Sequence, residues 1–406
     1  MSNQKIVYYQ LDNIEKEEAT INIIFGERSN GKSYALKHKK GVEAYLNSPE
    51  EKRERFMLIR RQKEDIKPEK IEQYFNDVDI YKLTNGEYNC ITLYKGKLWL
   101  SVYNPESKPQ IKRGDFIGYV VALSTEQTYA GASYLDVTNM IYEEYQARGG
   151  KYSSSGYLSD EPSKLMNLYS TVDRKRGTTK LWMVGNTISR ICPYYDDWGI
   201  KDIIVHQKIG TIECTYVPTG FFDDEGNPEA IKIAMEYCKA TGRSSHVIGK
   251  HASMMNEGSW QSDPQPHLPK SYNEYNICFR CIFMYQSYKF IGEFLQDPFT
   301  YDYCWYIYPY KGEISKDMLV FSDVIKPDRR YQRDIYNVDT TNDYLKRILS
   351  MFTEGNIFYA SDICGTDFKQ AIDFVIRRWK LWDVKENLKV ERKDKKERNL
   401  RSFFIL

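Results

Sequence analysis

The sequence predicts an α/β protein whose first half is built on a mostly parallel sheet. Three observations predict it. Short apolar runs alternate with helix-patterned stretches over the first 220 residues, as expected for parallel strands joined by helices that cover both faces of the sheet. Gly26-Glu-Arg-Ser-Asn-Gly31-Lys32-Ser33 lies between one such run and one such stretch. A second run, Asn139-Met-Ile-Tyr142, leads directly into Glu143 and Glu144.

In chain order, residues 21–25 read as the strand entering the glycine-rich loop and residues 33–47 as the helix leaving it. Residues 56–59 are the next strand, followed by a helix near 68–78. Segments 88–94 and 97–103 flank Lys95-Gly96, a hairpin signal. Segments 116–123, 138–142 and 180–184 are further buried strands. Between the last two, residues 159–172 carry Ser159 as a cap, acids at 160 and 161, and Pro162 in the first turn. Leu165, Leu168, Tyr169 and Val172 then recur at helical spacing, so one face packs on the sheet.

The chain divides by pattern into residues 1–220, a polar connector 221–268, a second domain 269–384 and a charged tail 385–406. The connector is expected to hold one short helix over 229–240, and its three prolines between Trp260 and Lys270 mark a boundary. The second domain opens on β-rich runs at 277–295, 304–310 and 318–324. Helices over 342–353 and 366–382 follow, with a strand candidate at 357–359 between them.

Composition narrows the class. Lys+Arg 58 against Asp+Glu 56 argues against a static nucleic-acid coat, though not against a protein that grips and releases DNA. Eight cysteines show no disulfide-like framework, the N-terminus lacks a secretory pattern, and no run of 18 apolar residues exists. The expectation is a soluble protein of a reducing cytoplasm. Cys278 and Cys281 form a lone CxxC inside an apolar run; on a strand they face opposite ways, so core cysteines are the better reading than metal ligands. His246 and His251 read as surface residues.

Gly26-x4-Gly31-Lys32-Ser33 satisfies every fixed position of the phosphate-binding loop. The glycines let backbone N–H groups converge on phosphate oxygens, Lys32 reaches the β- and γ-phosphates of ATP, and Ser33 holds Mg²⁺. Glu143 is expected to support the Mg²⁺ shell and Glu144 to polarise the attacking water. Glutamate is one methylene longer than the usual aspartate at the first position, so its metal contact runs directly or through a water. Asn186, at the end of the next strand, is placed to bond the catalytic water or the γ-phosphate; the plainer reading is a Gly-Asn turn. Arg174 and Arg176, just past a helix end, can reach a neighbouring subunit's site or simply complement the helix dipole. Arg28, inside the loop, stands beside the phosphates and is read as a nucleotide sensor.

GERSNGKSYALK, the LIRR strand end followed by YFNDV, IYEEY, LMNLYSTVDRKR and LWMVGNTIS resemble, in order and spacing, the DNA encapsidation ATPases of small tailed phages, in the large-terminase lineage. A weaker likeness continues through DYLKRILSMFTEGNIFY. The resemblance implies an additional-strand P-loop ATPase core and a C-terminal RNase H-like domain. It implies Lys32 and Ser33 on phosphate and Mg²⁺, Glu144 as catalytic acid, Arg174 or Arg176 acting in trans, Lys63 supporting the neighbour's site, and Asn186 coupling hydrolysis to movement. It also implies double-stranded viral DNA and the portal of the procapsid as partners, a homo-oligomeric ring (a pentamer by resemblance), the host cytoplasm, and no membrane.

Nuclease chemistry in such a second domain needs converging carboxylates on two Mg²⁺ ions. The run 277–285 contains no acid, and Asp302, Asp323 and Asp362 read as turn or strand-end residues, so no cutting is expected. Two other functions compete with packaging: another ring P-loop motor, such as a helicase or conjugative pump, and a nucleotide-binding assembly switch.

Overall fold

The computed structural model describes residues 7–147, 156–222, 225–241, 257–322, 328, 330–332, 342–353 and 355–372. The chain separates into two compact units, Met1–Arg148 with Ser154–Gln261, and Gly149–Ser153 with Ser262–Leu406. The readings of His246 and His251, of Asp323, of the tail 385–406 and of the end of the last predicted helix lie outside the described residues.

The first unit is a nine-stranded sheet. Its middle is parallel: β5 (Ile111–Ala122), β2 (Arg55–Arg60), β6 (Val137–Glu143), β7 (Lys180–Asn186), β1 (Ile21–Gly26) and β9 (Pro228–Tyr237) stand side by side in that order. One antiparallel edge is formed by β4 (Lys97–Tyr103) and β3 (Cys90–Tyr94), the other by β8 (Ile212–Phe222). A parallel strand covered on both faces buries every residue, and all six residues of β1 are buried. Alternation sorts its side chains. Ile21, Ile23 and Phe25 join Met140, Leu181, Met183, Leu165 and Val172 in one core, while Ile24 joins Phe56, Trp182, Leu36 and Phe75 in the other. The predicted helix after the loop is continuous over 32–47, with a π-helical stretch at Leu36–Glu43 inside it.

Two expectations fail in the stretch after β7. Most of the stretch read as a connector helix at 229–240 lies in β9 instead, next to β1 with Ile21 opposite Ile233 and Phe25 opposite Tyr237. Ala, Glu, Lys and Met favour a helix locally, but pairing against the central strand outweighs that preference. Ile233, Met235 and Tyr237 enter one core and Ala234 the other, which is a period of two rather than 3.6. The first unit therefore runs to Gln261, and the boundary expected at residue 220 falls inside the β8–β9 hairpin.

The helix Glu161–Asp173 is fastened to the sheet by a buried ion pair. Arg61 Nε lies 3.1 and 3.0 Å from the two Glu161 oxygens and its guanidinium also donates to the Tyr145 carbonyl. Tyr142 and Tyr194 hydroxyls donate to Glu161 at 2.6 and 2.9 Å, and the Leu158 N–H donates at 2.7 Å. The carboxylate is thus fully hydrogen-bonded where no water reaches it, the condition under which a buried ion pair is tolerated.

The second unit holds a six-stranded sheet. β10 (Asn276–Tyr285), β11 (Tyr288–Gln296) and β12 (Tyr303–Pro309) form an antiparallel meander. β13 (Leu319–Ser322) and β14 (Tyr331–Gln332) extend it in parallel beyond β10, and β15 (Ile357–Tyr359) runs parallel to β12. Helices Asp343–Thr353 and 362–372 lie on one face, where Phe283 meets Phe352 and Phe368. Cys278 is exposed and Cys281 buried, as opposite sides of β10 require. Among the described residues, no helix is long and apolar enough to cross a membrane.

Breaking one partner of a buried, hydrogen-bonded ion pair leaves the other charge stranded, so Glu161→Gln is expected to destabilise the first unit by about 3–5 kcal/mol. Denaturant unfolding of the full chain measures it; a loss below about 1 kcal/mol would show the pair to be dispensable.

Candidate nucleotide-binding site

The loop after β1 turns on two glycines. Gly26 has φ 144° and Gly31 φ 97°, values open to glycine and strained for other residues. Gly26 also packs against Cys238, whose Cβ would stand 3.2 Å from any Cβ added there. The loop is braced from both sides. The Glu27 carboxylate accepts from the Thr241 N–H and hydroxyl at 2.7 and 2.9 Å, and the Tyr9 N–H donates to the Asn30 carbonyl at 2.9 Å.

Lys32 starts the helix with its side chain folded back along the loop. Its ammonium donates to the Glu27 carbonyl, to Asn30 Oδ1 at 3.1 Å and to Asn186 Oδ1 at 3.5 Å. Asn186 reaches it because β7 pairs with β1 in a register that sets Gly26 opposite Asn186. Burial pulls the ammonium below the usual lysine value, opposed by the charges of Glu143 and Glu27. Ser33, one residue on, donates to Glu143 Oε2 at 3.0 Å.

The two acids after β6 separate. Glu143 is the last strand residue and is buried; Glu144 is exposed and has φ 56°. A non-glycine residue in that left-handed conformation is strained, and such strain concentrates at working sites. Burial raises the Glu143 carboxyl above the usual glutamate range, while the Tyr74 hydrogen bond, the Arg60 charge and the Ser33 hydrogen bond pull it down.

The predicted cationic residues are not equivalent. Arg176 donates to the carbonyls of Asp173, Leu135, Tyr134, Val137 and Val172, closing the helix end Glu161–Asp173 onto the start of β6. Its guanidinium is therefore committed within its own subunit, in keeping with the plainer helix-end reading. Arg174 has φ 48°, is exposed and donates to one carbonyl, that of Ala132, at 2.7 Å. Arg28 is exposed in the loop, and Lys63 is exposed in the turn Lys63–Asp65 after β2.

The structure gives a place at the site to residues that the sequence left without a role. Tyr74 donates to Glu143 Oε1 at 2.5 Å. Its spacing with Ile71, Phe75 and Val78 reads only as the buried side of a helix. The N-terminal segment is another. Tyr8 and Tyr9 line a cleft of about 600 Å³ together with Ser29, Gly31, Lys32 and Ser33. Nothing in Val7-Tyr-Tyr-Gln10 announces that placement.

The oxygens present suit Mg²⁺ beside a nucleotide. That ion characteristically takes one or two protein oxygens and completes its shell with phosphate and water, and Ser33 Oγ and Glu143 Oε2 converge at 3.0 Å beside the lysine.

The chain is similar to known proteins in sequence and in fold. The family model described as Podovirus DNA encapsidation protein (Gp16) matches residues 3–205. The DNA packaging protein of Bacillus phage B103 is 29% identical over 180 residues, 44% of this chain and 48% of that protein. That of Bacillus phage phi29 is 26% identical over 192 residues, 47% of this chain and 50% of the relative. The chain thus spans about half the length of the curated relatives it matches. A chain of the bacteriophage Phi-29 viral genome packaging motor assembly aligns with TM-score 0.51 at 17% identity, over 90% of this chain and 99% of that one. That last likeness is one of fold.

The unequal bonding of the two arginines makes a direct comparison possible. Arg176→Ala is expected to cost about 1.5–3 kcal/mol of stability, the range for hydrogen bonds made by a charged group. Arg174→Ala is expected to leave the unfolding midpoint nearly unchanged. Equal effects in denaturant unfolding would overturn the distinction.

Proposed function

The chain belongs to the Podovirus DNA encapsidation protein (Gp16) family, and from that premise we propose that it is the ATPase of a ring-shaped motor. It drives double-stranded viral DNA through the portal into a preformed capsid, working at the portal vertex in the host cytoplasm. The single observation that carries the reading is the convergence of Lys32, Ser33, Glu143 and Asn186 at the ends of β1, β6 and β7. Phosphoryl transfer is catalysed by positioning and charge stabilisation, and these are the groups that such a site requires.

In this reading β7 is the additional strand of a P-loop core, since it lies between the loop strand β1 and the acid-bearing strand β6. The loop's backbone N–H groups and Lys32 take the phosphates of ATP. Ser33 and Glu143 would hold Mg²⁺, which neutralises phosphate charge as the γ-phosphoryl leaves. Glu144, exposed beside them, orients and deprotonates the attacking water. Asn186 already bonds the residue that would hold the γ-phosphate, so loss of that phosphate changes its hydrogen bonding at the edge of β7. Arg28 senses the phosphates from within the loop.

Assembly into a homo-oligomeric ring, a pentamer by the family resemblance, supplies the remaining charge. Arg174 is the better candidate for the trans arginine, because Arg176 is tied down by five carbonyls of its own subunit. Lys63 is exposed and suits a supporting role at the neighbour's site.

In this reading the second unit is RNase H-like; its strand order, the meander β12-β11-β10 continued by β13 and β14 with β15 added outside it, supports that. Three of its described acids are engaged in ion pairs. Glu293, fully buried, pairs with Arg280 at 2.6 Å, Asp297 with Lys270 at 2.5 Å, and Asp362 with His267 at 3.0 Å. Such pairing supports a domain that binds DNA or portal without cutting.

ATP hydrolysis by the full chain, with and without double-stranded DNA, tests the reading. DNA is expected to stimulate the parent, and Lys32→Ala to abolish the rate. Glu144→Gln and Arg174→Ala are each expected to lose at least about 100-fold, and mixing the two is expected to restore part of the rate. No recovery on mixing would remove the trans role from Arg174. A rate indifferent to DNA would favour a nucleotide-dependent assembly switch.

A further inference from the structure

We infer that Tyr74 is a positioning residue for Glu143: its phenol fixes one carboxylate oxygen so that the other stays turned to Ser33. The inference rests on the nucleotide-site reading above and goes beyond it, because Tyr74 entered that reading only as the first residue of the YFNDV segment, with no role of its own.

Glu143 is buried, and its two oxygens have different partners. Oε1 accepts from the Tyr74 hydroxyl at 2.5 Å and Oε2 from the Ser33 hydroxyl at 3.0 Å. A glutamate has one more side-chain torsion than the aspartate expected at this position, so its carboxylate must be held if it is to face one direction. The phenol does that. It is a hydrogen-bond donor of fixed reach on a rigid, partly buried ring.

The ring is itself fixed. Lys37 lies 4.4 Å from the ring centroid, and its ammonium donates to the Tyr74 carbonyl and pairs with Asp77. Phe75 packs edge-on at 5.0 Å. Ser33 and Lys37 are four residues apart, on one face of the helix that leaves the nucleotide loop. That face therefore grips Glu143 directly through Ser33, and indirectly through Lys37 and Tyr74. Tyr74 comes from the helix Pro68–Phe75, reached from β2 through the turn that carries Lys63. The orientation of the acid at Ser33 thus depends on where the segment after β2 sits, a dependence that the nucleotide loop alone does not contain.

Tyr74→Phe removes a single oxygen and keeps the ring under Lys37. The affinity of the full chain for ATP is measured by calorimetry without Mg²⁺ and over a Mg²⁺ titration. The Mg²⁺ midpoint is expected to rise about 10-fold, the lower range for losing a group that orients a metal ligand, with the Mg²⁺-free affinity unchanged. In a Glu143→Asp chain, whose shorter carboxylate withdraws from the phenol, adding Tyr74→Phe is expected to move the midpoint little further. An unchanged midpoint, or equal losses with and without Mg²⁺, would overturn the positioning role while leaving the site reading intact. A parent that binds ATP no better with Mg²⁺ would overturn the site reading, and this inference with it.

Discussion

The parallel pairing of β1 with β7, in the register that sets Gly26 beside Asn186, determines where every other part of the site can stand. A shift of one residue would turn alternate side chains of either strand into the opposite core. Ile23 and Phe25 would exchange places with Ile24, and the two cores on either side of the sheet would both be mispacked. Because the register is held by that much buried apolar surface, the loop leaves β1 at a fixed height. Lys32 then meets Asn186, and Ser33 meets Glu143 from the strand beyond. The strained backbone at Glu144 follows directly on the end of β6, which that packing holds in place.

Much of this was legible in the sequence, and the reason is local chemistry. The loop's glycines, lysine and serine act through backbone geometry that neighbours in sequence supply, so their spacing alone carries the message. The strands of the parallel core are short, apolar and bounded by turn residues, which is a reliable pattern. The buried acid after Tyr142 could be read from its position at a strand end. What stayed hidden depends on contacts distant in sequence. Residues 229–240 favour a helix locally, and most of them become β9 only because β1 has a free edge to fill. Tyr74 looks like one more core aromatic until Glu143, 69 residues away, is placed against it. Arg174 and Arg176 are two residues apart and identical in type, yet only the fold shows that one closes a helix end and the other is exposed.

Two buried glutamates, one in each unit, are handled in the same manner, by surrounding the carboxylate with several donors. Glu161 collects Arg61, two tyrosine hydroxyls and a backbone N–H. Glu293 collects Arg280, Tyr272 and Tyr308. The abundance of tyrosine, 34 residues in all, finds part of its explanation here. A phenol can sit in an apolar core and still deliver one hydrogen bond to a buried acid. Glu143 differs in one respect. One of its donors, Ser33, belongs to the nucleotide loop itself, so this acid alone among the three is poised to exchange a partner when ligand arrives.

If hydrolysis at this site moves DNA, the chain displaces the third strand from a DNA triplex as it travels. ATP-dependent displacement from linear double-stranded DNA is expected, lost in Lys32→Ala and lost with a non-hydrolysable nucleotide. Vigorous DNA-stimulated hydrolysis with no displacement at any ATP concentration would contradict such movement.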